Sequence, residues 1–217
     1  MTYHNYLFFT VRPSFYDLPH TTQEKYKKAW LATLRKEKDV TSYTYTTLGL
    51  KTNTTFLLWL QADAAETIQN HLNNLLHTQF GNYLKISYTL FGLIRRTQYS
   101  SATAKHTDTT RKGGAYLIIY PFTKTHEWHM LTFEKRKELM QGHIAIGRKY
   151  PQITQLLLYS YGLDDCEFIV SYETDDLADF QTLVMDLRSD NVRAYTKSDT
   201  PIFTSIYKTP EELIKFL

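Results

Sequence analysis

The sequence predicts an α+β protein made of two ferredoxin-like repeats, each ordered strand, helix, strand, strand, helix, strand. Three observations carry that expectation. Short apolar–aromatic runs alternate with amphipathic stretches in the same order twice along the 217 residues. Gly49-Leu50 falls between two strand-like runs as Gly162-Leu163 does, and an aspartate heads the helix after each hairpin. The 17 Tyr and 12 Phe are an aromatic load typical of sheet faces and of pockets for flat ligands.

In the first half, residues 6–11 form an apolar–aromatic strand ended by Pro13 and Pro19. Thr21-Thr22-Gln23-Glu24 has the form of a capping box and opens a helix through Trp30 and Leu34. Strand-like runs at 44–50 and 55–61 follow, with 51–54 as their turn. Asp63 and Glu66 cap a second helix, in which Ile68, Leu72, Leu75 and Leu76 keep helical spacing. Gly81 closes it, and 84–94 is the last strand.

The second half gives a strand at 115–120, a helix at 133–150 and a hairpin of 153–161 with 167–173. A helix at 176–187 and a strand at 202–207 complete the repeat. Thr209-Pro210-Glu211-Glu212 starts a final helix, with Thr as N-cap, Pro first and Glu third. The Ser/Thr/Lys-rich stretch 99–114, ending in Gly113-Gly114, is the expected linker, so the repeats fall at 1–112 and 113–217.

Composition excludes several classes. Lys+Arg 25 against Asp+Glu 22 leaves a net charge of +3 spread without blocks, so no nucleic-acid partner is expected. No apolar run approaches the roughly 18 residues of a membrane span, and the N-terminus lacks a signal peptide's basic start and apolar core. The single Cys166 rules out an internal disulfide and suits a reducing compartment. A cytoplasmic protein without a membrane partner is the expectation.

Familiar motifs fail one by one. The stretch 142–149 resembles a phosphate loop but lacks the Gly-Lys-Ser/Thr ending and sits in a helical pattern. His126-Glu127-Trp128-His129 has no zinc-protease spacing and is expected to be a surface loop. No Gly-x-Ser-x-Gly elbow exists, and the aspartates before Cys166 raise its pKa instead of activating it. Asp164-Asp165 are turn formers at a hairpin tip. What remains is His143, one turn beyond Met140, with Gly142 before it and Gly147 at i+4. Two glycines cost a helix roughly 2 kcal/mol against alanine. Either something bulky approaches, such as a flat macrocycle ligated by the histidine, or His143 is a packed residue and the glycines serve a tight helix crossing. The residues alone favour the second.

A resemblance adds to this. Tyr120-Pro121-Phe122-Thr123-Lys124-Thr125-His126-Glu127-Trp128, then His143 and Gly147-Arg148-Lys149-Tyr150-Pro151, resemble the chlorite dismutase superfamily in order and spacing. So do Tyr161-Gly162-Leu163-Asp164-Asp165, Glu167-Phe168, Glu173-Thr174-Asp175-Asp176, Leu187-Arg188 and the stretch 195–203. The match covers nearly all of 115–207; the first half resembles the family mainly in element order. It implies ferredoxin-like repeats of the dimeric α/β-barrel type, assembled as a homopentamer, with haem b or iron coproporphyrin III in the C-terminal half.

By the same resemblance, His143 is the proximal iron ligand and Gln155 stands at the distal position, where chlorite dismutases carry Arg. Gln there is similar to the coproheme decarboxylases. In those enzymes the residue matching Tyr120 forms a radical that attacks a propionate, the residue matching Lys124 assists, and the one matching Thr200 binds a propionate. Pro121, Phe122, Thr123 and Arg148 join the implied cofactor-binding set. Asn191 replaces the Glu that usually supports the proximal histidine, with Asp190 beside it, which implies a less basic ligand. The implied function is peroxide-dependent oxidative decarboxylation of iron coproporphyrin III to haem b, without chlorite dismutase activity. A haem-dependent peroxidase of unassigned substrate and a non-enzymatic haem carrier are the alternatives. The residue pattern is compatible: Tyr116, Ile118 and Tyr120 share a strand face that continues to Lys124, and Gln155, Leu157, Tyr159 and Tyr161 form a second. Arg148, Lys149 and Lys124 suit the carboxylates of a tetrapropionate porphyrin.

Overall fold

A computed structural model describes residues 2–95 and 110–217, so most of the expected linker lies outside the described residues. Along the chain run β1 (Tyr3–Val11), α1 (His20–Lys36), β2 (Thr41–Thr46), β3 (Phe56–Ala62), α2 (Ala65–Leu76) and β4 (Leu84–Leu93). They are followed by β5 (Tyr116–Lys124), α3 (His126–Met130), α4 (Phe133–Gly147), β6 (Thr154–Tyr159) and β7 (Phe168–Thr174). The chain ends with α5 (Leu177–Arg188), β8 (Thr196–Ser198), β9 (Phe203–Tyr207) and α6 (Pro210–Phe216). The class is α+β with antiparallel strand pairs, as the sequence predicts. Among the described residues no helix is long and apolar enough to cross a membrane.

The chain divides into two compact units, Met1–Leu93 with Phe203–Leu217, and Ile94–Ile202. In the first, antiparallel pairing gives the order β4-β1-β3-β2-β9. Leu7, Phe9 and Val11 with Phe56, Leu58 and Leu60 share one face of this sheet. They are buried with Trp30 and Leu34 of α1, Ile68 and Leu75 of α2, and Leu213 and Ile214 of α6. Each such side chain contributes roughly 1.5–3 kcal/mol by leaving water. On the opposite face Trp59 Nε1 donates to His4 Nδ1 at 3.1 Å, and burial lowers the His4 pKa to about 4, keeping it a neutral acceptor.

Several sequence expectations change. The strand and helix at the C-terminus, assigned above to the second repeat, belong to the first unit. β9 pairs with β2 through Tyr45 and Thr46, and Thr44 Oγ1 donates to Lys208 O at 2.6 Å. Apolar burial of Leu213 and Ile214 then fixes α6, whose Thr209–Glu212 capping box forms as predicted. The box expected at Thr21 does not form. Pro19 is the N-cap, His20 already lies in the helix, and Gln23 Nε2 donates back to Leu18 O at 2.8 Å. Asp63 does not cap α2 either, since Ala64 takes that position. Asp176 does cap α5, accepting from Ala178 and Asp179. The second unit orders its strands β5-β7-β6, all antiparallel, with β8 against the end of β5.

Gly81 does not end α2, which stops at Leu76; it begins the turn that follows. A Cβ there would stand 2.5 Å from the Leu76 carbonyl oxygen and 2.7 Å from its carbon. Gly81→Ala is therefore expected to destabilise the protein by about 2–4 kcal/mol, read as a lowered urea midpoint at unchanged slope.

Candidate functional site

Register in the second unit decides which side chains share a face. Directly opposed residues point the same way, so Gln155, Tyr172 and Ile118 form one row across β6, β7 and β5. Leu157, Val170 and Tyr120 form the next. This is the face that the helices cover, because Val170, Tyr172 and Leu183 are buried together against Tyr120, Phe122, Leu157, Ile146, Tyr150 and Phe180. Alternation turns Pro121 and Thr123 to the other face.

Helix α4 starts at the Thr132 N-cap, whose hydroxyl accepts from Lys135 N–H. Ile146 and the following Tyr150 reach the core, and Tyr150 Oη donates to Asp186 Oδ2 at 2.6 Å. None of its residues is fully buried. A Cβ at Gly142 would meet only Asp190 Oδ1, at 3.8 Å, and one at Gly147 would meet nothing within 4 Å. A tight crossing is therefore not the reason for these glycines. They leave a low, flat helix surface on either side of His143.

The His143 side chain keeps 31% exposure, and its Nδ1 stands 3.3 Å from Asp190 Oδ2. By geometry neither atom has a hydrogen-bond partner among the described residues, so the contact is one of charge and proximity. Burial lowers the imidazole pKa, the Asp190 carboxylate opposes that shift, and Lys124 reinforces it. Asp190 is itself held, because its Oδ1 accepts Val192 N–H at 3.3 Å at the head of a tight turn. Asn191 implied a less basic ligand; the carboxylate that faces His143 is that of the neighbouring Asp190. With Nδ1 facing Asp190, Nε2 is the nitrogen left open to another partner.

Lys124 is 8% exposed, and its Nζ sits 4.6 Å from the Trp128 ring centre and 5.7 Å from that of Phe122. Its pKa is lowered to about 8, chiefly by burial and then by Arg193, with Glu167 and Asp190 opposing. Glu167 is already engaged, accepting Lys124 N–H at 2.8 Å and facing His129 Nε2 at 2.9 Å. The expected surface loop at 126–129 is thus a helical turn, because burial of Trp128 against Lys124 and Tyr195 draws it inward. Burial raises the Tyr120 phenol, a hydrogen bond with Tyr172 lowers it, and the charges of Asp199, Arg188 and Arg193 act in turn. Arg188 and Arg193 share Asp199 Oδ2 at 2.9 and 3.3 Å.

The structure therefore brings together Tyr120, Phe122, Lys124 and His143, with Gln155 on the same sheet face. Arg148 and Lys149 are exposed at the end of α4 and are not among the charges acting on Lys124 or Tyr120; Arg193 takes that place. Thr200 is exposed beside Asp199. Cys166 is inert as expected, burial and Asp164 pushing its thiol up to about 11. Sequence reasoning missed Trp128, Tyr172 and Arg193. Only Tyr172 had a usable signal, its parity with Val170 and Phe168 along one strand.

The family model described as chlorite dismutase matches residues 20–208. The coproheme decarboxylase of Mycolicibacterium smegmatis is 26% identical over 171 residues, spanning 78% of this chain and 74% of that protein. An arginine-to-alanine variant of the chlorite dismutase from Candidatus Nitrospira defluvii has a TM-score of 0.92 at 22% identity, covering 99% of this chain and 94% of that one. The same enzyme in complex with imidazole gives the same values. At that identity the structural likeness speaks for the fold.

The buried amine makes a pH-dependent stability difference. The folded-state pKa of Lys124 lies below its usual value, so between about pH 8 and 10.5 the unfolded chain binds the extra proton and stability rises with pH. Lys124→Met should therefore stabilise the protein at pH 7 by about 2 kcal/mol, a gain that shrinks toward pH 10. Urea unfolding of both proteins across that range checks it; a pH-independent difference would contradict the burial argument.

Proposed function

This chain belongs to the chlorite dismutase family, and we propose that it uses hydrogen peroxide to decarboxylate iron coproporphyrin III to haem b. The observation that carries the reading is His143, a half-buried imidazole backed by Asp190 on a helix whose flanking glycines leave its surface low. Among the described residues no three His, Cys, Asp or Glu side chains converge on a metal ion. Iron at His143 would thus need its other donors from a ligand, as a porphyrin provides. The curated coproheme decarboxylase relative supports the substrate class.

His143 would hold the iron through Nε2, with the Asp190 carboxylate beside Nδ1 raising the basicity of the ring. The bound porphyrin would supply the redox chemistry, with peroxide as the two-electron oxidant. Tyr120 gives up its phenolic hydrogen and then takes a hydrogen atom from a propionate β-carbon. Departure of carbon dioxide leaves a vinyl group, and the two electrons released per propionate match one peroxide reduced to water. Lys124, with a pKa of about 8, can exchange a proton just above neutral pH at the end of the strand that carries Tyr120. Arg188 and Arg193 offer forked donors to porphyrin carboxylates, with the Thr200 hydroxyl beside them. Gln155 carries no charge, so chlorite chemistry is not part of the proposal. A homopentameric assembly belongs to the same proposal, on the family resemblance.

Two variants test the reading. His143→Ala should lose the ferric coproheme spectrum while its far-ultraviolet circular dichroism stays unchanged; a retained spectrum would remove His143 as the ligand. Tyr120→Phe keeps the ring and its packing, at a cost under about 1.5 kcal/mol, and loses only the phenolic hydroxyl. It should bind coproheme as the wild type does and return it unchanged after peroxide, by product mass. Haem b formation at more than about a tenth of the wild-type rate would exclude the radical role and favour a peroxidase or carrier.

A further inference from the structure

Helix α4 turns one stripe inward. Arg136, Leu139, Met140, His143 and Ile146 are half-buried at helical spacing, and Tyr150 continues the stripe beyond the helix end. Three of these side chains are polar. Tyr150 is held by Asp186 at 2.6 Å, and His143 faces Asp190 at 3.3 Å. Arg136 differs from both. Its Nε is shut off from solvent without a hydrogen-bond partner, and no carboxylate pairs with its guanidinium among the described residues. The neighbouring cations are ordinary by comparison, since Lys135 pairs with Glu138 at 2.9 Å and Lys137 is exposed. A guanidinium N–H buried without an acceptor is unfavourable, and a charged group makes it more so. Helix stability does not account for Arg136 either, because a cation in the first turns stands at the positive end of the helix dipole. An anion reaching this face from outside the helix would satisfy both the donor and the dipole.

We propose that Arg136 binds a carboxylate of the same porphyrin whose iron His143 holds, and so selects for a ligand with an anionic rim. Seven residues separate the two side chains, which sets them about 10.5 Å apart along the axis and within about 20° of one direction. The propionates of a porphyrin extend outward from its iron, so a ring lying over His143 carries carboxylates along the helix toward Arg136. Met140 stands between the two on the stripe and offers the macrocycle an apolar surface. The planar guanidinium fork matches a carboxylate in two parallel hydrogen bonds and keeps its charge at every working pH. Lys124, on β5, does not keep its own, with a pKa of about 8. The helix thus supplies the permanent cation and the sheet the titrating one. The inference rests on the porphyrin site proposed above and adds the residue that reads the rim of the ligand from the helix.

Two measurements test this without turnover. In urea unfolding, Arg136→Gln removes a cation that has no partner to leave behind, so the midpoint should rise or stay within about 0.5 M of the wild type. A larger fall would make Arg136 a structural residue and overturn the proposal. The second measurement is a fluorescence titration with metal-free coproporphyrin III, which needs no iron ligand and so separates this contact from that of His143. Arg136→Gln should bind it about tenfold more weakly than the wild type, the share of one charge-assisted contact. The tetramethyl ester of the same porphyrin carries no carboxylate and should bind both proteins alike. A loss of less than about threefold with the free acid, or a loss that the ester shares, would overturn the proposal. Failure of the wild type to bind the free acid would overturn it together with the porphyrin reading. If the tenfold difference is found while the wild type forms no haem b with peroxide, the decarboxylase reading fails and the Arg136 contact stands.

Discussion

Strand β7 is hydrogen-bonded along both edges, to β5 and to β6, and its register is the constraint on which the site depends. A slip of one residue would turn Tyr172 and Val170 away from the helices and put Ser171 and Ile169 in their place. The end of the strand carries a pin against that slip. The Glu173 carboxylate accepts the backbone N–H groups of Lys112, Gly113 and Gly114 at 2.9–3.2 Å. Gly113 has a φ of +106°, and a Cβ on Gly114 would stand 2.7 Å from Thr174 N, so both positions need glycine for the loop to close on Glu173. One residue further, Thr174 Oγ1 accepts from Asp176 N–H and Asp176 caps α5. Loop, strand and helix are therefore tied at a single point, far along the strand from Tyr159 and Phe168.

Much of this was legible in the sequence because it is local. Alternation placed Ile118 and Tyr120 on one strand face, the periodicity placed His143 on a helix, and Thr209 and Asp176 announced real caps. What failed was non-local or depended on geometry that letters do not carry. Thr21 and Asp63 have the residue types of caps, but a cap also needs the backbone to enter the helix at that residue; Pro19 and Ala64 are where it does so. β9 closes the second repeat in sequence and pairs with β2, a partner more than 150 residues away that no local pattern can name. Asp190 shows the same limit at finer scale. Alignment by letter put Asn191 at the supporting position, whereas the turn that Asp190 itself caps carries that residue's carboxylate to His143.

Burial sets the electrostatics of the site more than pairing does. It is the largest influence on Tyr120, Lys124, His143 and Tyr172, and in each case it disfavours the charged form. Lys124 shows why this need not be repaired. Its ammonium has no ion pair among the described residues, and the nearby Glu167 is committed to the Lys124 backbone and to His129. The Trp128 face holds the cation without fixing its proton, leaving a pKa of about 8 where a carboxylate in contact would have raised it. Tyr120, by contrast, is pushed to keep its proton at rest. Full charges are kept at the edge of this arrangement, where Arg188 and Arg193 crowd one carboxylate oxygen of Asp199 and so retain donors for another anion.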